Sequence, residues 1–293
     1  MEQYLIDKGY IPLDKSWIIR MGVLDLLNDR VEDSKVFLRG RLSTLGEDLG
    51  ALEQALHDFA YGDFVFVGES ATLYRFLKFA SWKLGQDKKF VKAGTLNDRK
   101  ICDNPGIVNY SLQELLKLDN GTSQWASAAV LAGSDEVVEN PPFKLRLTYE
   151  AVRHWRAQRA NGLMWVPRYD QTILKQAVAF LNMLHGNNSA FVPEQAEDYC
   201  FARAFGFMTK EEGEKRWPSL RGHESDRIEE MEMVLRHADE GYEIGSKDHR
   251  VVQAYTMLQK VKKKRIEIVN RGVVSKSWPQ FWTFLKDSPN IPV

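Results

Sequence analysis

The chain has 293 residues, an apolar fraction of 44%, and equal numbers of basic and acidic residues, 40 of each. This length and apolar content suffice for one large domain or two ordinary domains with a hydrophobic core, which argues against a disordered chain. The balanced charge gives no overall field that would attract nucleic acid or an anionic membrane, so any anion binding has to be local.

The N-terminal residues show no basic region followed by an apolar stretch, and no run of the sequence is apolar over the length of a bilayer. We therefore expect a soluble, cytoplasmic protein, acting as a monomer without a nucleic-acid or membrane partner. Cys102 and Cys200 are far apart and lack the spacing of metal ligands. Neither a disulfide framework nor a metal site is predicted, and both thiols are expected to be reduced.

Hydrophobic periodicity predicts ten helices. They are expected at residues 16–28, 46–60, 70–84, 123–133, 147–159, 170–185, 196–207, 224–238, 247–259 and 278–286. Short β-type runs lie between them at residues 63–67, 163–166 and 265–269. This alternation is typical of α/β layers. The loop-like residues 159–162 are interpreted as a crossing between two halves of the chain.

Three segments share one design, in which small or polar residues precede an aromatic residue and an apolar helical run. They are residues 70–74, 122–126 and 196–200. In the first two, hydroxyl side chains occupy the expected helix N-terminus, where free backbone N–H groups and the helix dipole favour an anion. Ordinary N-capping explains one such segment, but its repetition beside cationic motifs favours anion binding.

Several basic residues stand at or near predicted helix starts. Lys15 and Arg20 could both contact a phosphate or carboxylate, although a solvated helix face is the simpler alternative. Arg75 is a candidate for the same role or for a structural ion pair. Arg227 and Arg250 oppose the dipoles of their helices, so we expect them to serve a bound anion or an ion-pair network.

Taken in order, these motifs resemble the enolpyruvyl transferase family, specifically its 5-enolpyruvylshikimate-3-phosphate synthases. The family's opening lysine-serine pair and following arginine are matched at residues 15–20. Its glycine-threonine-alanine-x-arginine helix start resembles residues 71–75, with Ala71 in place of the glycine. Its serine-serine-glutamine resembles residues 122–124.

The second half of the chain continues the resemblance. The family's lysine-glutamate-threonine-aspartate-arginine resembles residues 223–227, and its aspartate-histidine-arginine stands unchanged at residues 248–250. The closing serine-lysine-threonine-phenylalanine-proline resembles residues 275–279. The order of six motifs, rather than any one of them, makes coincidence improbable.

The resemblance implies an α/β fold of two lobes built from repeated β/α units, of the inside-out α/β barrel type. Some repeats would be cropped, because the chain is shorter than typical members. One lobe is expected to comprise residues 15–160, and the other residues 1–14 together with 161–293, with the active site in the cleft between them.

The resemblance also implies a reaction, the one catalysed by 3-phosphoshikimate 1-carboxyvinyltransferases. In this step of aromatic amino-acid biosynthesis, the enolpyruvyl group of phosphoenolpyruvate is transferred to the 5-hydroxyl of shikimate 3-phosphate and phosphate is released. No cofactor is implied. The residues expected to hold shikimate 3-phosphate are Lys15, Ser16, Arg20, Thr122, Ser123 and Tyr149. Those expected to hold phosphoenolpyruvate are Lys15, Ala71, Gln124, Arg227, Arg250, Lys276 and either Arg99 or Lys100.

Catalytic roles are also implied by the resemblance. Glu224 is the expected acid/base group, with Lys15 and His249 as proton carriers. The family's catalytic aspartate, which lies in a proline-aspartate segment, has no counterpart here. Two alternatives therefore stay open: an enolpyruvyl transferase with a different anionic acceptor, or a catalytically silent relative that binds an anionic metabolite or a partner.

Overall fold

The computed structural model describes residues 1–41, 45–133, 140–187, 190–221, 226–240, 245–264 and 267–292. The chain divides into two compact units. One comprises Leu13–Arg168, and the other comprises Met1–Pro12 together with Tyr169–Val293.

The described part of the chain is built mainly from helices. In chain order they are α1 (Glu2–Asp7), α2 (Lys15–Leu27), α3 (Val31–Arg39), α4 (Glu47–Tyr61), α5 (Ala71–Lys83), α6 (Leu112–Leu115), α7 (Gln124–Leu131), α8 (Arg146–Ala160), α9 (Gln171–Leu184), α10 (Tyr199–Ala204), α11 (Lys210–Arg216), α12 (Arg227–Glu240), α13 (His249–Val261) and α14 (Phe281–Asp287). Two strands, β1 (Phe64–Gly68) and β2 (Lys89–Lys92), form one parallel sheet. None of the described helices is both long enough and apolar enough to cross a membrane.

All ten helices predicted from periodicity are present, with small shifts at their ends. The periodicity missed α1, α3, α6 and α11, which are short. Two of these begin with a capping box, Ser111 with Glu114 at α6 and Thr209 with Glu212 at α11. Local capping thus starts helices that are too short to show an apolar stripe.

The expected fold of repeated β/α units is wrong, because the described part is mostly helical and holds only a two-stranded sheet. Of the three β-type runs, only residues 63–67 become a paired strand. Residues 163–166 form no strand with any described residue, and residues 265–269 lie partly outside the described residues. Periodicity cannot distinguish a short buried strand from a short apolar loop, since a strand also needs a neighbouring strand for its backbone hydrogen bonds.

The sheet belongs to a single β1–α5–β2 crossover in the Leu13–Arg168 unit. Val65 and Val67 are fully buried on one face of β1, which packs against α4 and α5. Gly68 ends the strand with φ +58°, and a Cβ there would lie 3.2 Å from the Cβ of Ala51. The turn after Gly68 leads directly into α5, whose N-cap Ser70 accepts a hydrogen bond from the backbone of Leu73. The carboxyl end of β1 therefore points towards the N-terminus of α5.

Helix α2 lies inside the Leu13–Arg168 unit and is buried over most of its length. Its sequence is apolar on all sides, as expected of a helix surrounded by its neighbours. Gly22 allows α4 to approach closely, since a Cβ at this position would lie 3.1 Å from Leu56 Cδ1. Two charged residues, Arg20 and Asp25, are nevertheless buried on this helix. Each must therefore find polar partners inside the unit.

Asp25 is fully buried and accepts hydrogen bonds from four side chains. The donors are Ser34 Oγ at 2.6 Å, Trp155 Nε1 at 2.7 Å, Trp165 Nε1 at 2.8 Å and an Arg159 guanidinium nitrogen at 2.6 Å. They come from α3, from α8 and from the segment after α8. This carboxylate thus joins three parts of the unit to α2.

The other unit has its own core, in which aromatic side chains from α9, α10 and α14 are prominent. Trp278 and Phe284 stack with ring centroids 5.1 Å apart. The N-terminal residues belong to this core, because Trp278 Nε1 donates to the carbonyl of Tyr10 at 2.7 Å. The backbone N–H of Asp170 also donates to the carbonyl of Pro12 at 2.9 Å.

Candidate anion-binding site

Arg20 carries a buried guanidinium group on the second turn of α2. Its Nε donates to Thr148 Oγ1 at 2.9 Å, and one terminal nitrogen donates to the carbonyl of Ser16 at 2.8 Å. The guanidinium carbon lies 5.3 Å from the ring centroid of Phe76. Among the described residues, no carboxylate forms an ion pair with Arg20. Both acceptors are neutral, so neither hydrogen bond brings a negative charge to the guanidinium.

The titration behaviour of Arg20 agrees with this geometry. Burial lowers the pKa of Arg20 to about 10, and only the charge of Asp14 opposes that effect. Asp14 itself is occupied as the N-cap of α2, where it accepts from the backbone N–H of Trp17 at 3.1 Å. Arg20 remains protonated at neutral pH, so this unit keeps a buried positive charge. Such a charge is costly unless an anion approaches it.

Residues from the first two turns of four helices, α2, α5, α7 and α8, meet around Arg20. Phe76 belongs to the second turn of α5, Ser127 to the first turn of α7, and Thr148 to the first turn of α8. Thr148 Oγ1 donates to Ser127 Oγ at 2.9 Å, and Thr148 in turn accepts from Arg20. The N-terminal ends of α2, α5, α7 and α8 are thus near one another. A helix N-terminus carries a partial positive charge, so first turns that lie near the guanidinium would favour a phosphate or carboxylate group there.

Lys15, at the start of α2, has an acidic partner. Its Nζ lies 2.8 Å from Asp48 Oδ2, and Asp48 is in the first turn of α4. The Lys15 side chain is 36% exposed, whereas that of Asp48 is 11% exposed. Lys15 is therefore neutralised in this structure, unlike Arg20. An anion bound near it would compete with Asp48 for the ammonium group.

The other hydroxyl residues expected to hold shikimate 3-phosphate lie in the same unit. Ser16 takes part through its carbonyl, which accepts from Arg20. Thr122 Oγ1 accepts from the backbone of Gln124 at 3.4 Å, and Ser123 is the N-cap residue of α7 without a side-chain capping bond. The Tyr149 hydroxyl is buried and has no hydrogen-bond partner among the described residues. It follows Thr148 directly in α8.

Arg75 is held in an ion pair rather than open for a ligand. Its Nε lies 2.7 Å from Asp119 Oδ2, and both side chains are buried. Asp119 also accepts from Trp125 Nε1 at 2.9 Å and from the backbone N–H of Cys102 at 2.9 Å. The ion-pair interpretation of Arg75 is confirmed.

Gln124 connects α5 with α7. Its side-chain carbonyl accepts from Arg75 at 2.5 Å, and its amide donates to Thr72 Oγ1 at 2.7 Å. Ala71 is buried in the first turn of α5, and its carbonyl accepts from Arg75 at 3.4 Å. The N-termini of α5 and α7 are therefore fixed relative to each other by side-chain hydrogen bonds.

Arg99 and Lys100 differ in their surroundings. Arg99 is half-buried and donates to Thr95 Oγ1 at 3.4 Å, and its positive charge is among the influences that lower the pKa of Arg75, after burial. Lys100 is exposed. Arg99 is thus the one of the two that is electrostatically close to the α5 N-terminus.

In the other unit, predicted residues gather at the N-terminus of α13. Arg227 Nε lies 2.8 Å from Asp248 Oδ2, and Asp248 Oδ1 caps α13 by accepting from the backbone of Arg250 at 2.9 Å. His249 is buried beside this pair. The ion-pair interpretation of Arg227 is confirmed. Lys276 is half-buried at the end of a 3-10 turn.

Cys200 is a buried free thiol close to the same charges. Burial and the charge of Asp248 raise the pKa of Cys200, while Arg227 and Arg250 act in the opposite direction. The thiol is therefore kept protonated, which suits a packing role rather than a nucleophile. Cys102 is also a free thiol.

Stability at low pH should depend on Asp248. Burial opposes its ionisation, but Arg227, His249 and the hydrogen bonds to the carboxylate outweigh burial and lower the pKa from 3.8 to about 2. Because the pKa is lower in the folded state than in the unfolded state, the ionised carboxylate stabilises the fold above the unfolded pKa of 3.8. This stabilisation is lost as the pH falls towards about 2. The free energy of unfolding of the wild type should therefore fall by about 1.5 kcal/mol more than that of Asp248→Asn between about pH 5 and pH 2.5, as measured by urea unfolding. Asparagine keeps the N-cap acceptor. If the free energies of unfolding of the two proteins changed equally with pH, the lowered pKa of Asp248 would be contradicted.

Glu224, the expected acid/base residue, lies outside the described residues. Within the described part of the chain, no group of histidine, cysteine and acidic side chains is arranged to hold a metal ion.

The sequence analysis did not identify three residues of the candidate site: Asp48, Ser127 and Thr148. Ser127 could have been predicted, because it follows Ser123 by four residues and therefore lies on the same helix face.

Comparison of the chain with protein families, with characterised proteins and with solved structures found no match. The resemblance to enolpyruvyl transferases therefore stays a prediction from the motifs.

Proposed function

We propose that the chain binds shikimate 3-phosphate through Arg20 and the surrounding helix N-termini, and transfers to it the enolpyruvyl group of phosphoenolpyruvate. The observation that carries the proposal is the buried Arg20 guanidinium, which has no carboxylate partner among the described residues. A phosphate would supply the missing negative charge and accept hydrogen bonds from the guanidinium. The proposed setting is the cytoplasm, in aromatic amino-acid biosynthesis.

The transfer step needs three kinds of assistance: protonation of the methylene carbon, removal of the 5-hydroxyl proton, and stabilisation of the negative charge that builds up. Gln124 and Arg99, near the N-terminus of α5, are the proposed partners of phosphoenolpyruvate. The roles that the resemblance implies for Arg250, Lys276 and Glu224 remain predictions from the motifs. Arg227 is a weaker candidate than the motif suggests, since Asp248 already neutralises it.

Two observations favour the alternative of a binding protein without turnover. The described part of the chain does not contain the repeated β/α units that the resemblance implied, and Lys15 and Arg75 are already paired with Asp48 and Asp119. A chain with these features could keep the acceptor site while losing catalysis.

Two measurements on the full chain separate these functions. Calorimetry should show that shikimate 3-phosphate binds at least about tenfold more tightly than shikimate, because only the former carries the phosphate that Arg20 would contact. Phosphate release with phosphoenolpyruvate and shikimate 3-phosphate should then show turnover. Binding without release would establish the silent alternative. Equal affinities for the two ligands would reject both proposals.

A further inference from the structure

A cavity of about 540 Å³ lies in the unit that contains the C-terminus. It is bordered by the last turns of α13 and α14 and by the start of the 3-10 turn Arg271–Lys276. The volume falls in the range of sites that hold small organic molecules. None of the motifs recognised in the sequence supplies its lining, so the proposed transfer reaction leaves it without a role.

The lining of the cavity is predominantly cationic. Lys260, Arg271 and Lys286 contribute three positive charges, and Glu267 contributes one negative charge. Lys260 and Lys286 belong to the last turns of α13 and α14, where the helix dipole adds roughly half a negative charge each. The balance remains positive after both dipoles are taken into account. An anionic group is therefore favoured in the cavity.

The cavity also contains a fixed planar surface. The guanidinium of Arg271 lies over the Trp282 ring at 4.2 Å from the centroid. Trp282 Nε1 donates to the carbonyl of Arg271 at 3.0 Å, which fixes the orientation of the indole. Ile268 and Leu285 provide apolar surface beside this pair. A stacked arginine and indole is a platform on which a flat aromatic ring can pack.

We propose that this cavity binds a planar aromatic ring joined to a phosphate, as in a nucleoside monophosphate. The ring packs against the Arg271–Trp282 pair and the apolar wall, and the phosphate lies among the lysines. The ring contacts and the phosphate contacts are expected to act together. Neither the surface lysines alone nor the Arg271–Trp282 pair alone would hold a small molecule. This site is separate from the proposed acceptor site around Arg20 and does not depend on it.

Adenosine monophosphate is the test probe, with adenosine and ribose 5-phosphate as the fragments that carry only the ring or only the phosphate. Calorimetry on the full chain should give a measurable Kd for adenosine monophosphate and at least about tenfold weaker binding of each fragment. Arg271→Gln and Lys286→Gln should each raise the Kd at least about fivefold. Lys286→Gln changes an exposed side chain, so it keeps the test valid if Arg271→Gln disturbs folding.

The matched control is Arg216→Gln. Arg216 also stacks on a tryptophan, at 4.7 Å from the ring centroid of Trp217, but it does not line the cavity. The Kd should stay within about twofold of wild type in this variant. The proposal is overturned by any of three results: no binding at millimolar adenosine monophosphate, equal binding of ribose 5-phosphate, or equal losses in Arg216→Gln and Lys286→Gln.

Discussion

Asp25→Ala should destabilise the Leu13–Arg168 unit by about 3 to 5 kcal/mol. The carboxylate is fully buried and accepts from Arg159, Ser34, Trp155 and Trp165. Its removal leaves two indole N–H groups without their acceptor and leaves the largely buried guanidinium of Arg159 with only the more exposed Asp33. Each unsatisfied donor has a desolvation cost. Urea unfolding followed by tryptophan fluorescence would measure the loss, since two of the affected donors are themselves tryptophans.

Asp33→Ala is the matched control for this prediction. Asp33 pairs with the same Arg159 at 2.9 Å, but its side chain is 37% exposed. Water can replace an exposed partner, so this substitution should cost less than about 1 kcal/mol. If the two variants lost similar stability, the buried network would not be the stabilising element that its geometry indicates.

Arg20→Gln should abolish most of the affinity for shikimate 3-phosphate without lowering the stability of the ligand-free chain. One lost charge-assisted contact is worth about 1.5 to 3 kcal/mol, or roughly 10-fold to 150-fold in Kd. The free protein should be as stable as wild type or more stable, because the substitution removes a buried charge without a carboxylate partner among the described residues. Calorimetric titration measures the Kd for shikimate 3-phosphate, and thermal unfolding of the same sample measures the stability of the free protein.

Arg39→Gln tests whether any arginine of the unit would give this result. Arg39 is exposed and pairs with Glu53 at 2.7 Å. Its replacement should leave the affinity within about twofold of wild type. A structural role for Arg20 would show the opposite pattern from the one expected, with a large loss of stability and unchanged affinity in Arg20→Gln. That outcome would remove the basis of the acceptor site.

Local signals in the sequence were sufficient for ten of the described helices and for several of their starts. The apolar stripes of α4, α5 and α13 extend over three or more turns, and the N-cap residues Ser70 and Asp248 stand immediately before theirs. These features depend on residues a few positions apart, which is why they could be predicted. The ion pairs of Arg75 and Arg227 were foreseen only as alternatives, because the sequence could not name their partners.

The sequence by itself therefore determined ten of the fourteen described helices and the presence of cationic groups near helix N-termini. Only the tertiary structure decided that residues 163–166 pair with no described strand, that Lys15 meets Asp48, and that Arg20 meets Thr148. Strand pairing and charge pairing join residues distant in the chain, and periodicity carries no information about which distant residue will be the partner. The proposed site depends on Arg20 having no carboxylate ion-pair partner among the described residues, and only the three-dimensional arrangement of the side chains decides this.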